Sequence, residues 1–238
     1  MGLIKVKAGS NMYQGWITHC HSHLLGKCRH FCKYCYTQAI EKRFQSGRYS
    51  GDVRLNGKEF DVSYGKGKTI FIEHMNDLFS KGIPDDWIVR ILEQCKKYPD
   101  NEYIFQTKNP ENLLRFVPNM PVNYMVGTTA ESDIVDNLYG DDETKPPDVL
   151  NRLAAMMKLP IVIKRFITVE PMVKLGNTVG FAKAIAICNP DFVNIGIDSK
   201  GSDLEDPAKE QILEFVEELQ RLGVKILKKS NLGRVLGT

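Results

Sequence analysis

Residues 28–35 read Cys28-Arg-His-Phe-Cys32-Lys-Tyr-Cys35, so three cysteines follow the spacing C-x3-C-x2-C, with an aromatic residue, Tyr34, before the last. Three thiolates this close in sequence can hold three corners of a cubane iron–sulfur cluster. A cluster with four protein ligands usually carries electrons, whereas one with three leaves an iron open. An open coordination position is where chemistry takes place, as at catalytic zinc. The motif therefore predicts Cys28, Cys32 and Cys35 as ligands of a reactive metal centre.

Structural zinc is the alternative interpretation of clustered cysteines. Zinc prefers four ligands, commonly from two C-x2-C-type pairs far apart in sequence, and this chain shows one such pair. Nearby residues would have to complete a zinc site: His19, Cys20, His21, His23 and His30. Free thiols are the third interpretation, while disulfides are not expected because the cysteines are few and no secretory signal is evident. Cys20, His21 and His23 are expected to be structural rather than a second metal site.

The composition predicts one globular domain. The chain has 238 residues, of which 42% are apolar and 26% charged. This length suits a single large core. No apolar run reaches the ~20 residues that span a bilayer, and the first residues lack the apolar core of a signal peptide. We therefore expect a cytoplasmic protein, in which a thiolate-held cluster would be stable.

Positive charge is concentrated around the cysteines, although the formal net charge is only +3. Between residues 27 and 48, one acidic residue, Glu41, stands against six basic ones: Lys27, Arg29, Lys33, Lys42, Arg43 and Arg48. This pattern favours an anionic substrate at the site, and a solvated helix face is the competing interpretation.

Short apolar runs alternate with amphipathic helices along the chain. The runs are nearly all apolar, as is typical of strands buried on both faces of a parallel sheet. They are Gly15–His19, Thr69–Glu73, Tyr103–Thr107, Asn123–Thr128, Ile161–Thr168, Asp191–Ile197 and Val224–Leu227. Helices are predicted at Asp85–Lys97, Pro110–Val117, Val149–Met157 and Pro207–Leu222. This order predicts an α/β fold, a partial (β/α)6-type barrel with a mostly parallel sheet and right-handed crossovers.

One segment interrupts the alternation. Residues 47–68 are rich in glycine and charge, and Asn56-Gly57 stands between short alternating runs, so we expect a small hairpin insertion there. The single domain, residues 1–238, would then contain a cluster loop at 20–36, the insertion at 47–68 and a C-terminal βα unit with a tail at 203–238.

Polar residues that follow the strands should share one cavity, because barrel sites lie at the carboxyl ends of the strands. The cysteine loop, which is the cluster loop at 20–36, directly follows the first predicted strand. It should therefore lie at the rim of the barrel formed by the carboxyl ends of the strands. The other residues expected there include Glu73, Asn76, Asp77, Thr107, Lys108, Thr129, Glu131, Ser132, Thr168, Glu170, Asp198 and Lys229.

The cysteine spacing resembles the signature of the radical S-adenosylmethionine (SAM) enzymes. The resemblance implies a 4Fe–4S cluster whose open iron binds the amino and carboxylate groups of SAM. An electron from the cluster would cleave SAM to methionine and a 5′-deoxyadenosyl radical, which abstracts hydrogen from an unactivated C–H bond.

Several stretches together resemble one family within that superfamily, the phage-associated, radical-SAM-like proteins of unknown function. The matching stretches occur in family order between about residues 12 and 233: Trp16–His19, Cys32–Tyr36, Met75–Phe79, Ile83–Asp85, Phe105–Glu111, Val126–Thr129, Thr168–Pro171, Asn194–Ile197 and Gly223–Lys228. Two features depart from the family: the first cysteine gap is often longer, and many relatives have a glycine-rich run where this chain has Ile195-Gly-Ile-Asp198. The second departure bears on substrate contacts.

The implied cofactor, SAM, suggests roles for the rim residues. Its ammonium needs acceptors, for which Glu73, Asn76 or Asp77 is placed, and its ribose suits Glu131 or Ser132. Its carboxylate needs a cation, Lys108 or Lys164. The predicted cofactor-binding residues are Tyr34, Glu73, Asn76, Asp77, Lys108, Thr129, Glu131 and Glu170, and no catalytic residue is predicted.

The phage association implies a nucleic acid base or nucleotide as substrate, in a bacterial host or a phage-infected cell. An isomerase for thymine hypermodification in phage DNA is one such enzyme, and an electron donor would be a further partner. Two other functions remain open. One is a non-catalytic zinc- or cluster-binding module. The other is a barrel hydrolase or isomerase that uses Glu73 and Glu170 and for which the cysteines are incidental.

Overall fold

The computed structural model describes residues 2–7, 15–134, 138–140, 143–198, 202 and 204–237. The strands are β1 Ile4–Lys5, β2 His19–His21, β3 Leu24–Leu25, β4 Arg54–Leu55, β5 Thr69–Ile72, β6 Glu102–Gln106, β7 Tyr124–Thr129, β8 Lys164–Val169, β9 Phe192–Ile195 and β10 Ile226–Lys228. The helices are α1 Tyr36–Phe44, α2 Asp85–Lys96, α3 Pro110–Leu114, α4 Val149–Met157, α5 Thr178–Ile187, α6 Lys209–Arg221 and α7 Gly233–Leu236. Within these ranges, no helix has the length and apolar character needed to cross a bilayer.

One sheet dominates the described part of the chain. Its eight strands follow the order β1-β2-β5-β6-β7-β8-β9-β10, in which β1 is antiparallel to β2 and the remaining seven run parallel. The predicted α/β single domain with a mostly parallel sheet is confirmed. All seven predicted strand regions overlap a parallel strand, so the sheet has one parallel strand more than a six-unit barrel.

Side-chain contacts indicate that the sheet is curled. Trp16 precedes β2, yet its ring lies 5.4 Å from Phe166 of β8 and 5.1 Å from Phe192 of β9, centroid to centroid. In a flat sheet, β2 and β8 would lie about 19 Å apart, since neighbouring strands are spaced by about 4.8 Å. A small inner core fills the concave face and comprises Ile17, Cys20, Phe71, Ile104, Met125, Phe166 and Phe192. A larger outer core packs the convex face against the helices.

The concave face changes from apolar to polar along the strands. Side chains two residues apart on a strand share a face, so residues Glu73, Gln106 and Thr168 follow Phe71, Ile104 and Phe166 on that face. On β7 the same row continues through Gly127, where an added Cβ would lie 2.1 Å from the ring of Phe166. The inner core therefore closes one end of the curled sheet, and the polar residues surround the other end.

The predicted hairpin at Asn56-Gly57 is wrong. The side chain of Asn56 accepts from Lys58 N at 3.3 Å and begins a 3-10 helix at Gly57–Asp61. The neighbouring strand, β4, pairs antiparallel with β3 instead of folding back on its own segment. An Asn side chain that bonds to the backbone two residues on can begin a helical turn as readily as a hairpin, and β3 offers an edge for pairing.

Two other local expectations differ from the structure. Ile161 and Val162 lie outside β8 and are 83% and 87% exposed, because a turn with Ile163 N donating to Pro160 O precedes the strand.

Helix α5 is not among the helices predicted from the sequence. Its apolar residues are spread around the whole helix, so the 3.6-residue period that reveals an amphipathic helix is weak there.

Candidate active site

A cavity of about 450 Å³ lies at the carboxyl ends of the parallel strands. Its lining comes from the cysteine loop, the start of α1, the strands β5, β6, β7 and β8, and the segments that follow β5, β6, β8, β9 and β10. It includes most of the residues predicted for the site: Cys28, Cys32, Tyr34, Cys35, Glu73, Asn76, Asp77, Lys108, Thr129 and Glu170. The fold therefore brings together residues that are up to 201 positions apart in sequence, from Cys28 to Lys229.

The cysteine loop is held by backbone hydrogen bonds on two sides. On one side, Gly26 N donates to Arg48 O at 2.8 Å and Lys27 N donates to Gly51 O at 2.9 Å. On the other side, Lys33 N donates to Leu138 O at 2.9 Å. Gly26 is required at its position because its φ is +90° and an added Cβ would lie 2.1 Å from Asp52 O. The segment 47–68 therefore supports the cysteine loop.

All three cysteines of the motif carry free thiols at the cavity. Burial raises the pKa of the Cys28 thiol above its usual range and that of Cys32 to about 11. In the described part of the chain, no group of three or more His, Cys, Asp or Glu side chains surrounds a common position for a single metal ion. A cubane does not require such convergence, because each cysteine binds a different iron atom. The three free thiols in the cavity lining could hold three of the four irons of a 4Fe–4S cluster.

The histidines that would complete a zinc site have other partners. Nδ1 of His21 lies 3.2 Å from Gly2 O, its ring meets the ring of His23 edge to face, and Nε2 of His23 is 2.9 Å from the Tyr64 hydroxyl. Cys20 belongs to the inner core. Nε2 of His30, within the cysteine loop, lies 2.8 Å from Oδ2 of Asp77.

Asp77 connects the cysteine loop to the β6–α3 segment. Its Oδ1 accepts from the Thr107 hydroxyl at 2.7 Å and from Phe79 N at 3.0 Å. Its Oδ2 accepts from Lys108 N at 2.7 Å and lies beside His30. Burial opposes ionisation, but His30 and these donors hold the pKa of Asp77 below its usual value. Both oxygens are thus engaged with protein donors.

Glu73 has a similar position on the other side of the loop. Its Oε1 accepts from His23 N at 2.6 Å and lies 2.8 Å from His23 Nδ1, and its Oε2 accepts from Leu24 N at 3.1 Å. Glu73 has a backbone φ of +57°, which is unusual for a residue other than glycine. Asn76 lies nearby, and its Nδ2 donates to Gly26 O at 3.3 Å.

Glu131 lies behind the cavity wall rather than on it, with no exposed surface. Arg152 Nη1 donates to its Oε2 at 3.0 Å, Tyr139 donates to its Oε1 at 2.6 Å, and the Tyr34 hydroxyl donates to the same oxygen. Burial raises the pKa of Glu131, but Arg152, Lys108 and the two tyrosines outweigh it and lower the pKa to about 2. The hydrogen bond to Glu131 therefore fixes the position of Tyr34 in the cavity lining.

Lys108 places a positive charge between this network and the cysteines. Its Nζ lies 5.4 Å from the centroid of the Tyr34 ring. Burial favours the neutral amine, but Cys32 and Glu131 raise the pKa of Lys108 above its usual value. Lys164, the other candidate for the SAM carboxylate, is at the opposite end of its strand, where Nζ donates to Glu102 Oε1 at 3.0 Å. Its predicted role is wrong because it begins strand β8 instead of ending it.

Glu170 and Lys229 form a second charged group in the cavity lining. Lys229, which follows β10, donates to Oε2 of Glu170, and Asn231 Nδ2 donates to Oε1 of Glu170 at 3.1 Å. Thr129, which also lines the cavity, accepts from Gln106 Nε2 at 3.0 Å. The cavity lining therefore contains Lys108 and an ion pair between Lys229 and Glu170.

Several residues of the site were not among the predicted ones. Arg152 lies on the same helix face as the buried Val149, Leu153 and Met156, and an arginine in that register is a signal for a buried ionic partner. Thr37 and Tyr36 line the cavity directly after Cys35, and the hydroxyl of Tyr36 donates to His74 O at 2.5 Å. These two carry no spacing signal in the sequence.

Comparison with known proteins places the chain in a family and a fold. The model of the family described as "Protein of unknown function (DUF5131)" matches residues 16–216. No curated protein sequence matches the chain.

Solved structures with this fold include radical SAM enzymes. One spore photoproduct lyase variant superposes with a TM-score of 0.62 at 11% identity and covers 95% of this chain and 81% of its own. Another variant, with bound AdoMet and dinucleoside spore photoproduct, has a TM-score of 0.60 at 13% identity and covers 88% and 76%. A radical SAM methyltransferase from Sphaerobacter thermophilus has a TM-score of 0.51 at 13% identity and covers 92% and 67%. At identities this low, the structural similarity shows a shared fold and nothing more specific.

Proposed function

This chain belongs to the DUF5131 family, and we propose that it is a radical SAM enzyme that binds a 4Fe–4S cluster through Cys28, Cys32 and Cys35. The observation that carries the proposal is the placement of three free thiols at a cavity at the carboxyl ends of the parallel strands. A site at this rim of a parallel barrel is typical of enzymes. When bound, the cluster and SAM would supply a 5′-deoxyadenosyl radical that abstracts hydrogen from the substrate.

The residues around the cavity support different tasks in binding SAM. Lys108 keeps its positive charge beside Cys32 and suits the SAM carboxylate. Asn76 lines the cavity with a side-chain amide and suits the ammonium group. Glu73 and Asp77 are engaged with protein donors, so we infer that they position the cysteine loop. Tyr34 and Thr129 would border the nucleoside, and Glu131 would act indirectly by holding Tyr34.

We propose a nucleic acid base or nucleotide as the substrate. Six basic residues lie around the cysteines in the sequence, between positions 27 and 48, and Lys108 and Lys229 line the cavity, which favours an anionic ligand. One solved structure with the same fold holds a dinucleoside spore photoproduct. A base in a duplex would have to be flipped out to reach the cavity. Isomerisation during thymine hypermodification of phage DNA is one reaction of this kind, and it would require an electron donor.

Anaerobic reconstitution tests the proposal. The purified chain is loaded with iron and sulfide, reduced with dithionite and mixed with SAM, and 5′-deoxyadenosine is measured by mass spectrometry. We expect about four iron atoms per chain, the content of a 4Fe–4S cluster, together with 5′-deoxyadenosine. Single alanine variants of Cys28, Cys32 and Cys35 should lose both.

Cys188 provides the matched control, because it is a free cysteine buried in the outer core. The Cys188→Ala variant should retain the wild-type iron content. An intact cluster that yields no 5′-deoxyadenosine would refute the proposal that the chain is a radical SAM enzyme. Tightly held zinc after aerobic purification, without SAM binding in calorimetry, would indicate a non-catalytic binding module instead.

A further inference from the structure

The hydroxyl of Thr37 lies 2.9 Å from Sγ of Cys35. Thr37 is the second residue of α1 and is 2% exposed, so water competes little for this contact. Cys35 occupies the position before the helix, with extended backbone angles. The contact is therefore built into the junction between the cysteine loop and its first helix.

The chemistry of the pair determines the direction of the hydrogen bond once a metal is bound. A free thiol and a hydroxyl can each donate to the other. A cysteine that binds iron is a thiolate without a proton, so the Thr37 hydroxyl is then the donor and the sulfur the acceptor. Hydrogen bonds to a charged acceptor are roughly twice as strong as neutral ones.

The N-terminal end of α1 also stabilises negative charge on the sulfur of Cys35. The first N–H groups of a helix lack partners within the helix, and the dipole makes this end positive. Cys35 lies at that end of a nine-residue helix. Negative charge on its sulfur is stabilised by both the helix end and the Thr37 hydroxyl.

We propose that Thr37 is a positioning residue that acts through Cys35 to raise the reduction potential of the bound cluster. This inference rests on the proposed function. Reduction adds negative charge that is shared with the ligand sulfurs, and a donor to a sulfur stabilises the reduced form more than the oxidised form. Hydrogen bonds to the sulfurs are among the features that set the potentials of iron–sulfur clusters.

Two variants separate the hydroxyl from the shape of the side chain. Thr37→Val keeps the volume and branching but removes the hydroxyl, whereas Thr37→Ser keeps the hydroxyl and removes a methyl group. The measurement is the midpoint potential of the reconstituted cluster, followed by its visible spectrum and by electron paramagnetic resonance at fixed pH. We expect the midpoint potential of Thr37→Val to be more negative by about 59 mV. For a one-electron couple, this shift changes the ratio of oxidised to reduced cluster about tenfold.

The Thr37→Ser variant should match the wild type. Equal potentials in Thr37→Val and the wild type, with equal iron content, would overturn the inference. So would a shift in Thr37→Ser as large as in Thr37→Val. If wild-type protein forms a cluster and cleaves SAM while the potentials coincide, the inference fails and the proposed function stands.

A measurement on the wild type covers the case in which Thr37→Val does not fold. Pulsed electron paramagnetic resonance of the reduced cluster in H2O and D2O should detect an exchangeable proton coupled to it, and Thr37→Ser should retain that proton. Absence of an exchangeable coupled proton in the wild type would overturn the inference. A wild-type chain that binds no cluster would overturn the proposed function as well.

Discussion

Glu131 shows how the surroundings of one residue decide what it can do. Its position after β7 predicts a ribose contact, because it follows a strand at the rim of the site. In the structure, Arg152, Tyr34 and Tyr139 all donate to its carboxylate. An arginine on the buried face of α4 needs such a partner, since an unpaired buried charge is costly. Glu131 is thus a support for the cavity wall.

Replacing Glu131 with Gln should lower the free energy of unfolding by about 3 kcal/mol at neutral pH. The reason is that its pKa falls from 4.5 to about 2 on folding, and each pKa unit corresponds to about 1.4 kcal/mol. Urea unfolding of the two proteins measures the difference. The matched control is Glu111→Gln, which breaks the exposed ion pair with Lys158 and should cost less than about 1 kcal/mol.

The same pair of proteins should differ less in acid. A folded-state pKa below the ordinary value means that the Glu131 carboxylate stabilises the fold above pH 4.5, and that this contribution is lost as the pH falls toward about 2. The gap in stability between wild type and Glu131→Gln should therefore narrow across this range. A gap independent of pH would contradict the assignment of a charged, buried Glu131.

At the scale of elements, the cysteine loop depends on segments that are distant in sequence. Hydrogen bonds from Gly26 and Lys27 reach the backbone at 48–51, and those from Lys33 reach 138. His30 contacts Asp77, which follows β5. The loop that carries the thiols is therefore positioned by the rest of the domain, and changes in its supports should affect metal binding.

Gly26→Ala should reduce the iron bound per chain after anaerobic reconstitution. The new Cβ would lie 2.1 Å from Asp52 O at a φ of +90°, which costs about 1–3 kcal/mol for the contact and about 1–2 kcal/mol for the backbone. Gly51→Ala is the control, because its φ is +68° but the space around its Cβ is open. Equal iron contents in both variants would show that the contact with Asp52 does not support the loop.

The interior of the curled sheet depends on a glycine in β7. An added methyl at Gly127 would overlap the ring of Phe166 at 2.1 Å, so Gly127→Ala should lower the free energy of unfolding by about 1–3 kcal/mol. Gly57→Ala is the control, since the space around Gly57 is open. The double variant Gly127→Ala with Phe166→Leu should recover part of the loss. No recovery would mean that the ring is not the obstacle.

At the scale of the whole molecule, one face of the curled sheet serves both stability and the site. Its apolar end forms the inner core, and its polar end forms the cavity with the cysteine loop. A ligand bound across this cavity would contact residues of, or directly after, six of the parallel strands and should therefore stabilise the entire domain.

SAM at one hundred times its Kd should raise the free energy of unfolding of the iron-loaded protein by about 2.7 kcal/mol. For a domain of this size, that corresponds to an increase in Tm of roughly 5–10 °C. Anaerobic thermal unfolding with and without SAM measures the shift. The Cys28→Ala variant, which should not assemble the cluster, should show a smaller shift, and an equal shift would place SAM away from the cluster.

The sequence by itself determined the alternation of strands and helices and the identity of the three thiols. Both are local properties, because buried strands are continuous apolar runs and a cysteine motif is a short spacing. The same locality explains why the sequence pattern does not reveal α5 and indicates a hairpin at Asn56: the apolar or turn residues there fit more than one local structure.

Only the tertiary structure decided which of the polar residues after the strands are engaged by protein partners. Glu73, Asp77 and Glu131 all follow strands, yet each has partners that are at least 20 positions away in sequence, such as His23, His30 and Arg152. The Thr37 contact with Cys35 likewise depends on how the loop enters α1. Hydrogen bonds of this kind form only after the chain has packed, because burial removes the competing water and leaves each polar group with the partners that the fold provides.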